Sequence, residues 1–140
     1  MTASQTALTK ALSLSCFEAP QNAQMLEGGI TNLNVRLTDQ GREYVVRLGD
    51  DIPEHMVLRW NELSLSRTAH AIDLAPAVMH TEPGVLVLDY VDGAPLEGQD
   101  LHDADVLTQV VALLMRLHEE GTKALSGPVL SFWVFHILRS

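Results

Sequence analysis

A chain of 140 residues that is 46% apolar is about one domain, since a chain near this size hides roughly 68–70% of its unfolded surface. Nine Lys and Arg stand against eighteen Asp and Glu, a formal net charge of −9, which argues against nucleic-acid backbones as partners and permits cationic ones. Cys16 has no second cysteine to pair with, no Cys or His pair has zinc-clip spacing, and Val129 to Leu138, the longest apolar run, is half the ~20 residues of a membrane span. Met1 to Phe17 carries Lys10 and intersperses Thr, Ser and Gln among its leucines, unlike a signal peptide. An intracellular, reduced, cytoplasmic setting is expected.

Leu8, Ala11, Leu12 and Ser15 recur at three- and four-residue spacing before Pro20, which predicts an amphipathic helix over about residues 4 to 18. From Gln24 to Leu48 the period becomes two: Leu33, Val35 and Leu37, a turn at Thr38-Asp39-Gln40-Gly41, then Tyr44, Val46 and Leu48 alternating with Glu43, Val45 and Arg47. Three antiparallel strands are the reading. Asp50-Asp51-Ile52-Pro53-Glu54 has the start signals of a helix, in which Met56, Trp60, Leu63 and Arg67 share a face. Ala77 to His80 and Val85 to Tyr90 flank Glu82-Pro83-Gly84 and read as a hairpin. Asp103 can cap a helix through Val106, Leu107, Val110, Val111, Leu114 and Leu117, with Gly121 as its stop. The order predicts an α+β domain. Val129 to Leu138 is apolar on every side of a helix, so it wants protein around it; either the chain is cut short or it needs a partner.

Gly28-Gly29-Ile30-Thr31-Asn32-Leu33-Asn34 joins two strands. Glycines there let backbone N–H groups approach a phosphate, and Thr and Asn add side-chain donors, but in isolation a plain hairpin turn is the better reading. Arg47 lies on the strand face opposite Tyr44, Val46 and Leu48, so its guanidinium enters any cleft on that side. Glu62, fifteen residues on, can pair with Arg47 from the following helix and aim its fork at phosphate oxygens; the alternative is a surface glutamate. Eight acids and no Lys or Arg fall between Arg67 and Arg116, a field for an amine substrate or merely a solvated surface. No Ser/His/Asp or Cys/His arrangement has spacing behind it.

The order of strand, Gly-Gly-x-Thr-Asn loop, strand, Tyr44-Val45-Val46-Arg47-Leu48, helix with Glu62, and Val85-Leu86-Val87-Leu88-Asp89-Tyr90-Val91-Asp92-Gly93 resembles the N-terminal lobe of the choline kinase and aminoglycoside phosphotransferase family. The resemblance implies a protein-kinase-like lobe, a five-stranded antiparallel sheet with a helix. It implies that Gly28, Gly29, Ile30, Thr31, Asn32 and Asn34 cover ATP phosphates, that Arg47 grips them and that Glu62 orients Arg47. It further implies that Asp89, Tyr90 and Val91 form the hinge that meets adenine through backbone groups. Arginine rather than lysine on the strand is similar to the choline-kinase branch, which moves the expected acceptor toward a small cationic alcohol such as choline, ethanolamine or an aminoglycoside.

On this resemblance residues 1–91 form the nucleotide-binding lobe, and 92–140 the hinge exit and start of a helical lobe. Gly127-Pro128-Val129 to Arg139 is similar to the helix before the catalytic loop. The family's H-x-D-x-x-x-x-N loop and its Mg²⁺ ligands have no counterpart in these residues, so catalytic and metal residues are expected to be none and the chain inactive alone. The rival reading is a non-catalytic interaction module docking through 129–138.

Overall fold

Period-two alternation builds the sheet. The computed structural model describes residues 2–27 and 32–131. Among them, β1 (Gln21–Leu26), β2 (Leu33–Asp39), β3 (Arg42–Leu48), β4 (Val78–Glu82) and β5 (Val85–Asp89) form one antiparallel sheet in the order β1-β2-β3-β5-β4. The β2–β3 turn places Gln40 and Gly41 both at positive φ, the geometry that matches strand twist in a two-residue hairpin.

One face of the sheet is apolar. Val35, Leu37, Val46, Leu48, Val85 and Val87 meet Ala7, Ala11 and Leu14 beside helix α1 (Ala3–Leu12) in the buried core. Each fully buried side chain of this type contributes about 1.5–3 kcal/mol. The opposite face carries Asn34, Arg36, Val45, Arg47, Leu86 and Leu88, with Arg47 between Asn34 and Leu86 and Val45 between Arg36 and Leu88. That second face looks toward helix α2 (Arg59–Ala71).

Three expected boundaries move. The first helix ends at Leu12 rather than near residue 18, because both the amide and the hydroxyl of Ser13 turn back on the Lys10 carbonyl and close the last turn. Its start is fixed by Thr2 and Gln5, which cap each other's backbone. The second helix begins at Arg59, not at the Asp50–Glu54 signals: Pro53–His55 is a single 3-10 turn, Met56 is left-handed, and Ile52 pairs with Val57. The acid cap still operates at a distance, since Asp51 Oδ1 accepts the Arg59 amide at 2.7 Å.

Helix α3 (Ala104–Arg116) starts on Asp103, whose carboxylate accepts the amides of Asp105 and Val106. Gly121 is not its stop. The chain runs through a π-helical turn, Leu117–Gly121, into Thr122–Ala124, and Gly121 is buried where an added Cβ would stand 3.4 Å from Leu117 and 3.7 Å from Ile72. Those are ordinary contact distances, so this turn packs on the end of α2 at a place where a small side chain would also fit. Arg116 strengthens that contact by donating to the Ile72 carbonyl. Residues 127–131 are not helical, and the rest of the apolar segment expected to be a helix lies outside the described residues.

Candidate active-site cleft

Alternation along β3 decides where Arg47 points. With Val46 and Leu48 in the core, the guanidinium projects from the other face and meets α2, where its Nη1 lies 2.5 Å from Glu62 Oε1. Its Nε donates to Asn34 Oδ1 on β2 at 3.4 Å. The Arg47 side chain is 32% exposed and that of Glu62 18%, so the pair is partly dried yet still reachable by an anion. The surface-glutamate alternative is thereby removed.

Glu62 holds a second cation that the sequence reading missed. Arg59 Nη1 lies 2.7 Å from Glu62 Oε2, and Arg59 Nε donates to the Asp50 carbonyl at 3.0 Å. The signal is present in the sequence, since Arg59 and Glu62 have the i, i+3 spacing of a helix pair, but pairing Glu62 with Arg47 alone passes over it. Burial pushes the Glu62 carboxyl up, while the hydrogen bonds and charges of Arg47 and Arg59 pull it down more strongly and hold it below its ordinary value.

Two cavities flank this ion cluster. One, about 340 Å³, lies between α2 and the β4–β5 turn and is lined by Arg47, Arg59, Trp60, Glu62, Leu63 and Leu86 among others. The other, about 410 Å³, runs along α2 toward the sheet's exit and is lined by Arg47, Glu62, Leu65, Ser66, Pro76 and Leu88 among others. Both share the Arg47–Glu62 pair as a wall.

Of the other expected site residues, Gly28, Gly29, Ile30 and Thr31 lie outside the described residues. Asn32 is described, and its side-chain oxygen is buried without a partner among the described residues. At the exit from β5, the Asp89 amide donates to the Ala77 carbonyl and the Tyr90 amide to the Glu43 carbonyl. Asp89 also pairs with Arg42 at 3.0 Å. Val91 alone of the three keeps its amide outside the backbone bonding of the described residues. The acids between Arg67 and Arg116 do not converge. Glu82 faces His80, Asp89 faces Arg42, Asp73 faces Arg116, and Asp103 caps α3.

No protein-family profile matches the chain, and no curated protein matches it either. Among solved structures, the ethanolamine kinase of Plasmodium vivax superposes with a TM-score of 0.62 at 20% identity, over 72% of this chain and 27% of that one. The fold is a kinase-like N-lobe. The chain spans only about a quarter of the length of that kinase. In the kinase-like lobe the sheet's polar face, with Arg47 and Glu62, is the face turned away from the α1 core. No helix of the described residues is long and apolar enough to cross a membrane.

Proposed function

We propose that these residues form the nucleotide-binding lobe of an ATP-dependent phosphotransferase whose acceptor is the hydroxyl of a small cationic alcohol, of the choline, ethanolamine or aminoglycoside kind. The observation that carries the reading is the Arg47–Glu62 pair, 2.5 Å apart on the cleft face of the sheet. A guanidinium fixed by a carboxylate on one side leaves donors for phosphate oxygens on the other.

The described residues fit a nucleotide in their donor set. Arg47 would stabilise phosphate charge, Glu62 would keep its fork aimed, and Asn34 would steady its Nε. Val45 and Leu88 stand opposite each other on the cleft face and would floor the base, with the free Val91 amide at its edge. The Gly28–Asn34 loop would cover the phosphates and exclude water. ATP, when bound, supplies the γ-phosphoryl group for in-line transfer to the acceptor hydroxyl. Among the described residues no three His, Cys, Asp or Glu converge as metal ligands, and the role of Mg²⁺ is assigned to the complete enzyme.

Residues 1–91 would be the lobe itself and 92–140 the exit and first helices of the next, in a reduced cytoplasmic setting. The chain alone is expected to bind nucleotide without turning it over. Calorimetric titration with ATP tests this: the wild-type chain binds, and Arg47→Ala weakens binding at least about thirtyfold, the loss of ~2 kcal/mol expected for a charge-assisted contact. Absence of binding by the wild-type chain at millimolar ATP overturns the reading.

A second reading, an interaction module without catalysis, draws on α3, where Leu113 is 51% and Met115 56% exposed. Large apolar side chains at that exposure mark a contact surface. Under it, Arg47→Ala leaves partner binding unchanged.

A further inference from the structure

We propose that Arg59 is a positioning residue of the cleft, locking Glu62 in the orientation that presents Arg47 to an anion. Its ligand rests on the phosphotransferase reading; its geometry does not. Glu62 has two carboxylate oxygens, and each is taken by a different guanidinium: Oε1 by Arg47 at 2.5 Å and Oε2 by Arg59 at 2.7 Å. A glutamate held at one oxygen can rotate about its remaining torsions, whereas one held at both cannot.

Arg59 is itself anchored. Its backbone amide donates to Asp51 Oδ1 at 2.7 Å and its Nε to the Asp50 carbonyl at 3.0 Å. Asp50 and Asp51 follow β3, the strand that carries Arg47, after the single residue Gly49. The contacts therefore close a ring from β3 through Asp50 and Asp51 to Arg59, on to Glu62 and back to Arg47. This ring fixes the first turn of α2 against the strand whose guanidinium it orients.

The charges support the same role. Two guanidiniums on one carboxylate give the Arg47–Glu62–Arg59 cluster itself one more positive than negative charge, on the wall of the 340 Å³ cleft. Glu62 therefore holds Arg47 without neutralising both guanidiniums, while Glu82 on the same lining balances the cleft as a whole. The other charged groups near the cluster are Glu82 of the β4–β5 turn, lining the same cleft, and Asp50 and Asp51 behind Arg59. Arg59 Nη2 is buried without an acceptor among the described residues, which folding stability alone would not select.

The test uses the 140-residue chain, with Arg59→Gln and Arg59→Lys. The Glu62 carboxyl is followed against pH by carbon-13 NMR, and ATP is titrated by calorimetry. Arg59→Gln is expected to raise the pH at which Glu62 titrates and to weaken ATP binding about tenfold. Arg59→Lys, which keeps the charge but cannot reach Asp50 and Glu62 together in a fork, restores most of the Glu62 titration and only part of the binding. A Glu62 titration unmoved by Arg59→Gln overturns the inference, as does unchanged ATP affinity alongside a moved titration. Should the wild-type chain bind no ATP, the nucleotide reading fails on its own, and the positioning role is decided by the Glu62 titration.

Discussion

Arg36 sits over Tyr90, its guanidinium carbon 3.9 Å from the ring centroid. The same guanidinium grips Glu43, with Nε 3.0 Å and Nη2 2.7 Å from Oε1 and Nη2 2.7 Å from Oε2, and the Glu43 carbonyl accepts the Tyr90 amide at 3.1 Å. Residues from β2, β3 and the segment after β5 thus meet where the chain leaves the sheet. The hydrogen bonds to Glu43 push the Arg36 guanidinium up from its ordinary value, outweighing desolvation, which pulls it down, so it stays charged above the ring. Tyr90→Ala is expected to lower the melting temperature by roughly 5 °C, while Tyr90→Phe, which keeps the ring face, leaves it nearly unchanged. A differential scanning calorimetry comparison of the two decides whether the ring or the hydroxyl matters.

Gly84 is a steric hinge point at the rim of the cleft. It has φ +73°, and an added Cβ would lie 2.9 Å from Asp50 Oδ1, while its carbonyl accepts the Gly49 amide at 3.1 Å. Gly84→Ala therefore meets both backbone strain and a clash with a group next to the Arg59 anchor. We expect a loss of about 1–2 kcal/mol in urea unfolding. Gly41→Ala, with positive φ but open space around it, should lose about 1 kcal/mol. Equal losses at the two positions would mean that the Asp50 carboxylate turns aside at no measurable cost.

Much of this was legible from residue order. Alternation through Tyr44-Val45-Val46-Arg47-Leu48 reports which face each side chain takes, so Arg47 could be put on the cleft face, while its pairing with Glu62 rested on the family resemblance, Glu62 by itself fitting a surface position equally well. Helix boundaries were less legible, because they turn on local competition: Ser13 claims the Lys10 carbonyl, and a left-handed Met56 delays α2 to Arg59. Arg59 was missed for another reason: its i, i+3 spacing to Glu62 was legible, but Glu62 was paired with Arg47 alone. Gly121 read as a stop because glycine usually ends helices, yet the chain stays helical through it and packs beside Ile72, a tertiary contact that no local pattern records. The Arg36–Tyr90 stack joins residues 54 positions apart (90 − 36) through sheet register, which periodicity alone does not encode.

Among the described residues Asp39 is the one buried acid. It accepts the Glu18 amide at 3.3 Å and the Ala19 amide at 2.7 Å, tying the segment before β1 to the end of β2. Removing the carboxylate strands two donors in a place water reaches poorly. Asp39→Ala is expected to cost about 2 kcal/mol in urea unfolding, and Asp39→Asn, which keeps one acceptor oxygen, about half of that. The ranking is the check: Asn as damaging as Ala would show that both oxygens are needed together.

The pH dependence of stability follows from Glu62. Its carboxyl is held below the ordinary value of 4.5 in the folded chain, because Arg47 and Arg59 outweigh the cost of burial. A group with a lowered folded value contributes stability that is fully present above the unfolded value and is lost as pH falls through the folded one. The wild-type chain therefore loses this contribution on acidification below about pH 4.5. Glu62→Gln lacks it at every pH and leaves two guanidiniums facing each other, so at pH 7 it should be less stable by about 1 kcal/mol, a figure kept small because the pair is partly solvated. The gap between the two proteins should narrow as pH falls from 5 to about 3. Urea midpoints measured across that range test the sign directly: a gap that widens on acidification would place Glu62 outside the cluster of Arg47 and Arg59.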